Sequence, residues 1–173
     1  ILVNIQNNVD RSNEEFVDLY RSKYKSETHF PFWMAVEAST FGQLSVIFRY
    51  LPFSVQVPLA KQLNLHSRDL VSWLHTISTI RNICAHHSRL WNRILPIRPS
   101  IPSKKHHPEF YTPNKIRNDS FFVVLAIFKY LLDAIHPENS LISDFSKLVS
   151  SYPGIPLNRM GFPTNWRDYK FFQ

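Results

Sequence analysis

Apolar residues recur at steps of three and four along most of the chain, the spacing of one face of an α-helix. Phe16, Leu19 and Tyr20 predict a short helix with an inward face, capped by Asn13 and running to about Lys25. Residues 26–30 read as a turn. Pro31 suits the first turn of a second helix, which carries Trp33, Val36, Thr40, Leu44, Ile47 and Leu51 until Pro52 stops it. A third helix covers roughly 55–64. The fourth takes Ser67 as its N-cap and keeps Leu70, Leu74, Ile77, Ile80, Cys84 and Trp91 on one face, so it spans roughly 68–94 before Pro96. Asp69 suits its positive end. Residues 119–135 are apolar nearly all round and predict the central core helix. A last helix runs over about 139–150. Residues 1–11 are polar and weakly patterned, and read as the end of a truncated element.

Between the fourth and fifth helices lie Pro96, Pro99, Pro102, Pro108 and Pro113, which predict an extended loop. No repeat and no second boundary is visible, so residues 1–173 read as a single all-α helical domain with a long Pro-rich loop. With 44% hydrophobic and 19% charged residues, the chain is globular rather than disordered. The single Cys84 excludes an internal disulfide and a Cys-rich zinc site, and fits a reducing cytoplasm. The most apolar stretch, Phe121 to Phe128, is about a third of a membrane span. No leader is visible, and the start at Ile1 rather than Met suggests the C-terminal part of a longer protein.

Charge placement changes the picture. Of a net charge of +7, all of it sits between Arg81 and Arg117, where eight basic residues face Glu109 alone. Such a segment attracts polyanions. Lys104 and Lys105, with His106, His107, Tyr111 and Lys115 in the same loop, suit a single nucleic-acid strand through phosphate contact and base stacking.

The densest chemistry lies just before that loop, in Arg81-Asn82-Ile83-Cys84-Ala85-His86-His87-Ser88-Arg89-Leu90-Trp91-Asn92-Arg93. At about 100° per residue, an unbroken helix puts Asn82, His86, Arg89 and Arg93 on one polar stripe. His87 falls among Ile83, Leu90 and Ile94, pointing to the core or to a partner subunit, and Cys84 reads as an inert core thiol. Trp33 and Trp91 take core-facing positions. Arg81 diverges from His86 by about 140°, so a bent helix or a second subunit is needed to bring them together. RNA carries its own nucleophile, the 2′-hydroxyl. Its cleavage needs a base, an acid and positive charge on the phosphorane. His86 and Arg81 supply those roles, Asn82 orients the histidine or binds a phosphate oxygen, and Arg89 and Arg93 hold flanking phosphates or make structural ion pairs. No cofactor is needed. The adjacent pairs His86-His87 and His106-His107 make poor metal sites, and Glu37, a lone carboxylate in an apolar helix, is a surface group or a buried partner for an arginine such as Arg81.

This string resembles the Abi-like (AbiD/AbiF) abortive-infection family of the HEPN superfamily. Pro31-Phe32-Trp33-Met34-Ala35-Val36-Glu37 with Phe41-Gly42-Gln43-Leu44-Ser45 resembles the family's upstream helix, and Met160-Gly161-Phe162-Pro163 with Trp166 its closing segment, whose plain role is aromatic packing. The resemblance implies an HEPN-like bundle, a homodimer whose motif helices line one cleft, and a metal-independent endoribonuclease in anti-phage defence, a toxin with an antitoxin or inhibitor as partner. Some HEPN toxins carry a modified tyrosine two residues after the motif histidine; here that residue is Ser88. The alternatives are a non-catalytic dimeric module binding RNA or a partner protein, and a helical scaffold in which His86 is incidental.

Overall fold

The computed structural model describes residues 2–12 and 14–173. The described residues form eight α-helices joined by turns and short 3-10 segments, with no strand among them. The chain gathers into two compact units, Ile1–Pro52 and Phe53–Gln173.

The first unit holds α1 (Leu2–Arg11), α2 (Glu15–Lys23), α3 (Phe32–Glu37) and α4 (Phe41–Tyr50). Val9, Val17 and Ala35 form its core, with Phe16, Phe30, Ala38 and Ile47 packed around them. The polar opening residues are therefore helical, and Val9 is the anchor that ties them in. Asn13, the expected cap of α2, lies outside the described residues. Leu19, expected inside, is 65% exposed, and Val17 takes the inward position. The long helix expected from Pro31 to Leu51 is two helices. Thr40 accepts a hydrogen bond from the backbone N–H of Gln43 while the Gln43 side chain accepts from the Thr40 N–H, a capping box that starts α4 afresh. The restart changes the phase of the apolar face. Trp33, expected to pack, is accordingly 73% exposed, and Glu37 is exposed at the end of α3, so it is no buried partner for an arginine.

The second unit holds α5 (Phe53–Gln62), α6 (Ser67–Ala85), α7 (Phe121–Ile135) and α8 (Leu141–Ser151). Here α5 packs on α6 and α6 on α7. Six consecutive residues of α7, Phe122 to Ile127, are buried, as expected of a helix apolar all round. His66 rather than Ser67 precedes the first turn of α6, and its side chain makes no cap hydrogen bond. The closing segment packs its aromatics on α7 and α8: Phe162 lies 4.8 Å from Phe122 and stacks on Phe145 at 5.3 Å, and Trp166 meets Phe162 edge-on at 5.5 Å. Ring pairs of this geometry add to the gain from buried area.

The Pro-rich loop is pinned. Ser100 donates from its hydroxyl to Asp69 Oδ1 at 2.7 Å and from its N–H to Ser72 Oγ at 2.8 Å, while its carbonyl accepts from the indole N–H of Trp73 at 2.9 Å. Asp69 and Trp73 are buried. The Tyr169 hydroxyl donates to the Asn114 carbonyl at 2.9 Å, and burial pushes that hydroxyl's pKa up. These bonds replace the regular ladders that prolines forbid.

Candidate functional site

The helix that carries the motif does not reach residue 94. It ends at Ala85, with His86 as its C-cap. His87 turns left-handed at φ 52°, its N–H bonded to the Cys84 carbonyl at 3.0 Å, and the Ser88 N–H reaches back to Ile83 at 2.9 Å. Two of the carbonyls that every helix end leaves unpaired are satisfied this way. The same cap closes α5, where Asn64 is left-handed at φ 52° and Leu65 N–H bonds the Ala60 carbonyl. Asn and His tolerate this region better than most residues.

The break has three consequences. The helical stripe of Asn82, His86, Arg89 and Arg93 does not exist; Asn82 and His86 share the end of α6, while Arg89 and Arg93 belong to the chain beyond it. His87 is exposed and strained rather than buried among Ile83 and Leu90. Cys84 is exposed as well, Ile94 is 72% exposed, and Trp91 is only half-buried. Ile83 alone of that region keeps a buried position.

Arg81, Asn82 and His86 are all exposed on the last turns of α6. The Arg81 guanidinium donates to Asn82 Oδ1 at 3.2 Å. Among the described hydrogen bonds none joins Arg81 to His86, in keeping with their divergence on the wheel. Past the turn, Arg93 donates to the Arg89 carbonyl at 3.3 Å. Arg93 then lines a small cavity of about 110 Å³ with Arg117 and Arg159. Arg159 was not singled out in the sequence, and Arg117 only as the end of the basic segment. Arg117 lies two residues before Asp119 and bonds it at 2.7 Å, and Arg159 stands beside the Met160-Gly161 pair. The Arg117 guanidinium holds the Asp119 carboxyl below the usual carboxylate range.

Lys104 and Lys105 are exposed on a turn of the loop. His107 is not free for a strand: it is 2% exposed, with Nδ1 3.1 Å from Glu109 Oε1 and its ring 5.6 Å from Tyr130. It is a packing residue of the loop's base. Among the described residues no three His, Cys, Asp or Glu side chains gather as a metal site requires. No described helix is long and apolar enough to cross a membrane.

A family model described as Abi-like protein matches residues 1–92. The chain belongs to this family. The Abi-like match covers Arg81, Asn82, His86, His87 and Arg89, and stops one residue before Arg93. Lys104, Lys105 and the closing segment lie beyond the Abi-like region. No curated protein and no solved structure matches the chain.

Proposed function

We propose that this Abi-like chain is a metal-independent endoribonuclease of the HEPN type, acting in the bacterial cytoplasm in abortive infection. The observation that carries the reading is the exposure of Arg81, Asn82 and His86 together at the end of α6, inside the family-matched region. The backbone cap satisfies the last carbonyls of this helix end, and its exposed side chains are open to a substrate. His86 takes the proton of the 2′-hydroxyl or delivers one to the leaving 5′-oxygen. Arg81 stabilises the charge on the phosphorane. Asn82, already an acceptor for Arg81, orients that guanidinium. Arg89, Arg93, Lys104 and Lys105 hold flanking phosphates.

The separation of Arg81 from His86 favours a two-fold dimer, in which Arg81 of one chain serves His86 of the other and two histidines share the two proton transfers. It also supports the runner-up reading, a dimeric RNA- or partner-binding module that does not cut. Incubation of single-stranded RNA with the protein in EDTA separates them. The nuclease reading expects fragments ending in a 2′,3′-cyclic phosphate and a 5′-hydroxyl. Bound but intact RNA selects the binding module.

A further inference from the structure

Two cavities flank the Arg117–Asp119 ion pair and share it as a wall. The smaller, about 110 Å³, carries Arg93, Arg117 and Arg159 at the start of α7. Water takes about 30 Å³ in the liquid, so this space holds a few waters or one tetrahedral anion. Among the described residues neither Arg93 nor Arg159 meets a carboxylate, and the sole acid on the wall, Asp119, is already neutralised by Arg117. The Ser120 hydroxyl, just before the first turn of α7, is buried without a hydrogen-bond partner. Gly161 leaves it that room, because a Cβ there would lie 1.8 Å from Ser120 Oγ. Arg93 and Arg159, neither paired with an acid among the described residues, line this space together with the positive end of the 15-residue helix α7.

The larger cavity, about 370 Å³, has a different character. Ile101 and Tyr111 give it apolar walls, and Lys115 and Asn118 give it polar ones. The Tyr111 ring is fixed by its hydroxyl, which donates to the Pro102 carbonyl at 3.0 Å, and carries Lys115 Nζ 5.7 Å from its centroid. Asp119 Oδ1 is buried with no hydrogen-bond partner among the described residues. The walls are held in place: Leu95 N–H bonds the Asp119 carbonyl at 2.9 Å, and the Asn118 amide bonds the Pro99 carbonyl at 3.0 Å.

We propose that the paired cavities form a subsite for one internal nucleotide of single-stranded RNA, with its phosphate among Arg93, Arg117 and Arg159 and its base against Tyr111. The subsite deepens the reading of this chain as an RNA-binding enzyme and rests on it. Arg93, the last residue of the motif, lines the phosphate cavity.

Binding to the whole chain tests this, with probes that cannot be cut. A short 2′-O-methyl RNA, adenosine 5′-monophosphate and inorganic phosphate are titrated against wild type, Arg159→Gln and Tyr111→Leu, with near-UV dichroism as the check on folding. Arg159 is exposed, so its variant tests the subsite even if Tyr111→Leu fails to fold. Base stacking of about 1–3 kcal/mol corresponds to a loss of roughly 5- to 150-fold for Tyr111→Leu on the oligomer. Arg159→Gln lowers oligomer affinity by about tenfold and reduces the salt slope by roughly one phosphate contact. Inorganic phosphate, if bound, is lost in Arg159→Gln and kept in Tyr111→Leu. Oligomer affinity unchanged in a folded Arg159→Gln overturns the subsite, even if the protein cuts RNA. Tight binding of the mononucleotide with none of the oligomer overturns the RNA source and leaves a free-nucleotide site. Binding that follows both variants in a protein that never cuts sustains the subsite and defeats only the nuclease reading.

Discussion

At the scale of single residues, the left-handed turn at His87 governs the motif. A non-glycine residue in this region costs about 1–2 kcal/mol, and glycine avoids that cost while losing roughly 0.5–1 kcal/mol to chain entropy. His87→Gly should therefore leave stability unchanged or raise it by up to about 1 kcal/mol, read as a shift in the urea midpoint. A core histidine would behave oppositely, because glycine there would open a cavity. Gly161 gives the converse test. It sits at φ 84° and faces Ser120 Oγ, so Gly161→Ala combines backbone strain with a collision. A loss of at least about 1–2 kcal/mol is expected, and a neutral result would contradict the described turn. The sequence marks glycine at 161 but carries no comparable mark at 87, where the apolar spacing continues through Leu90, Trp91 and Ile94. A wheel therefore carries the helix onward until Pro96. What stops it is the cap, which costs one strained residue and satisfies two carbonyls.

At the scale of elements, α6 and the Pro-rich loop act as one piece through Ser100. Ser100→Ala leaves the Asp69 carboxylate buried with one hydrogen bond fewer, a loss of about 1–3 kcal/mol. Unfolding in urea measures it, and amide exchange should rise in the loop before it rises in α7. Uniform exchange across both would mean that the loop is not held by this bond. Pairings of this kind, 31 residues apart, leave no trace in local spacing. Helix α7 was legible because six consecutive buried positions need no phase. The split between α3 and α4 was missed, because the apolar spacing from Val36 to Leu44 runs on unbroken across the Thr40–Gln43 capping box. His107 shows the opposite failure. A histidine beside two lysines reads as part of a basic surface, yet packing against Phe110 and Tyr130 takes it inside.

At the scale of the whole molecule, the net charge of +7 lies in the segment that joins the motif to the paired cavities. Its placement was visible in the sequence; its folding around Arg117 and Asp119 was not, because that depends on where α7 starts. RNA affinity should fall steeply with salt, and charge reversal at Lys104 and Lys105 should weaken binding further. Affinity unchanged over a fourfold range of salt would contradict a phosphate-led interface. Solution scattering at micromolar concentration should report a dimer if Arg81 and His86 act across a two-fold axis; a monomer that still cuts RNA would place both roles within one chain.

The central claim is that His86 at the end of α6 moves a proton. The most direct measurement is the rate of cleavage of single-stranded RNA in EDTA by wild type, His86→Ala and His87→Ala, each shown to be folded and to bind non-cleavable RNA. Proton transfer by a positioned side chain contributes about 10²- to 10⁴-fold, so His86→Ala should lose at least about 10² in rate with binding largely kept. His87→Ala, altering an exposed turn residue, should retain most of the activity. A folded His86→Ala that cuts at the wild-type rate beside an inactive His87→Ala would contradict the account and move the catalytic role one residue along.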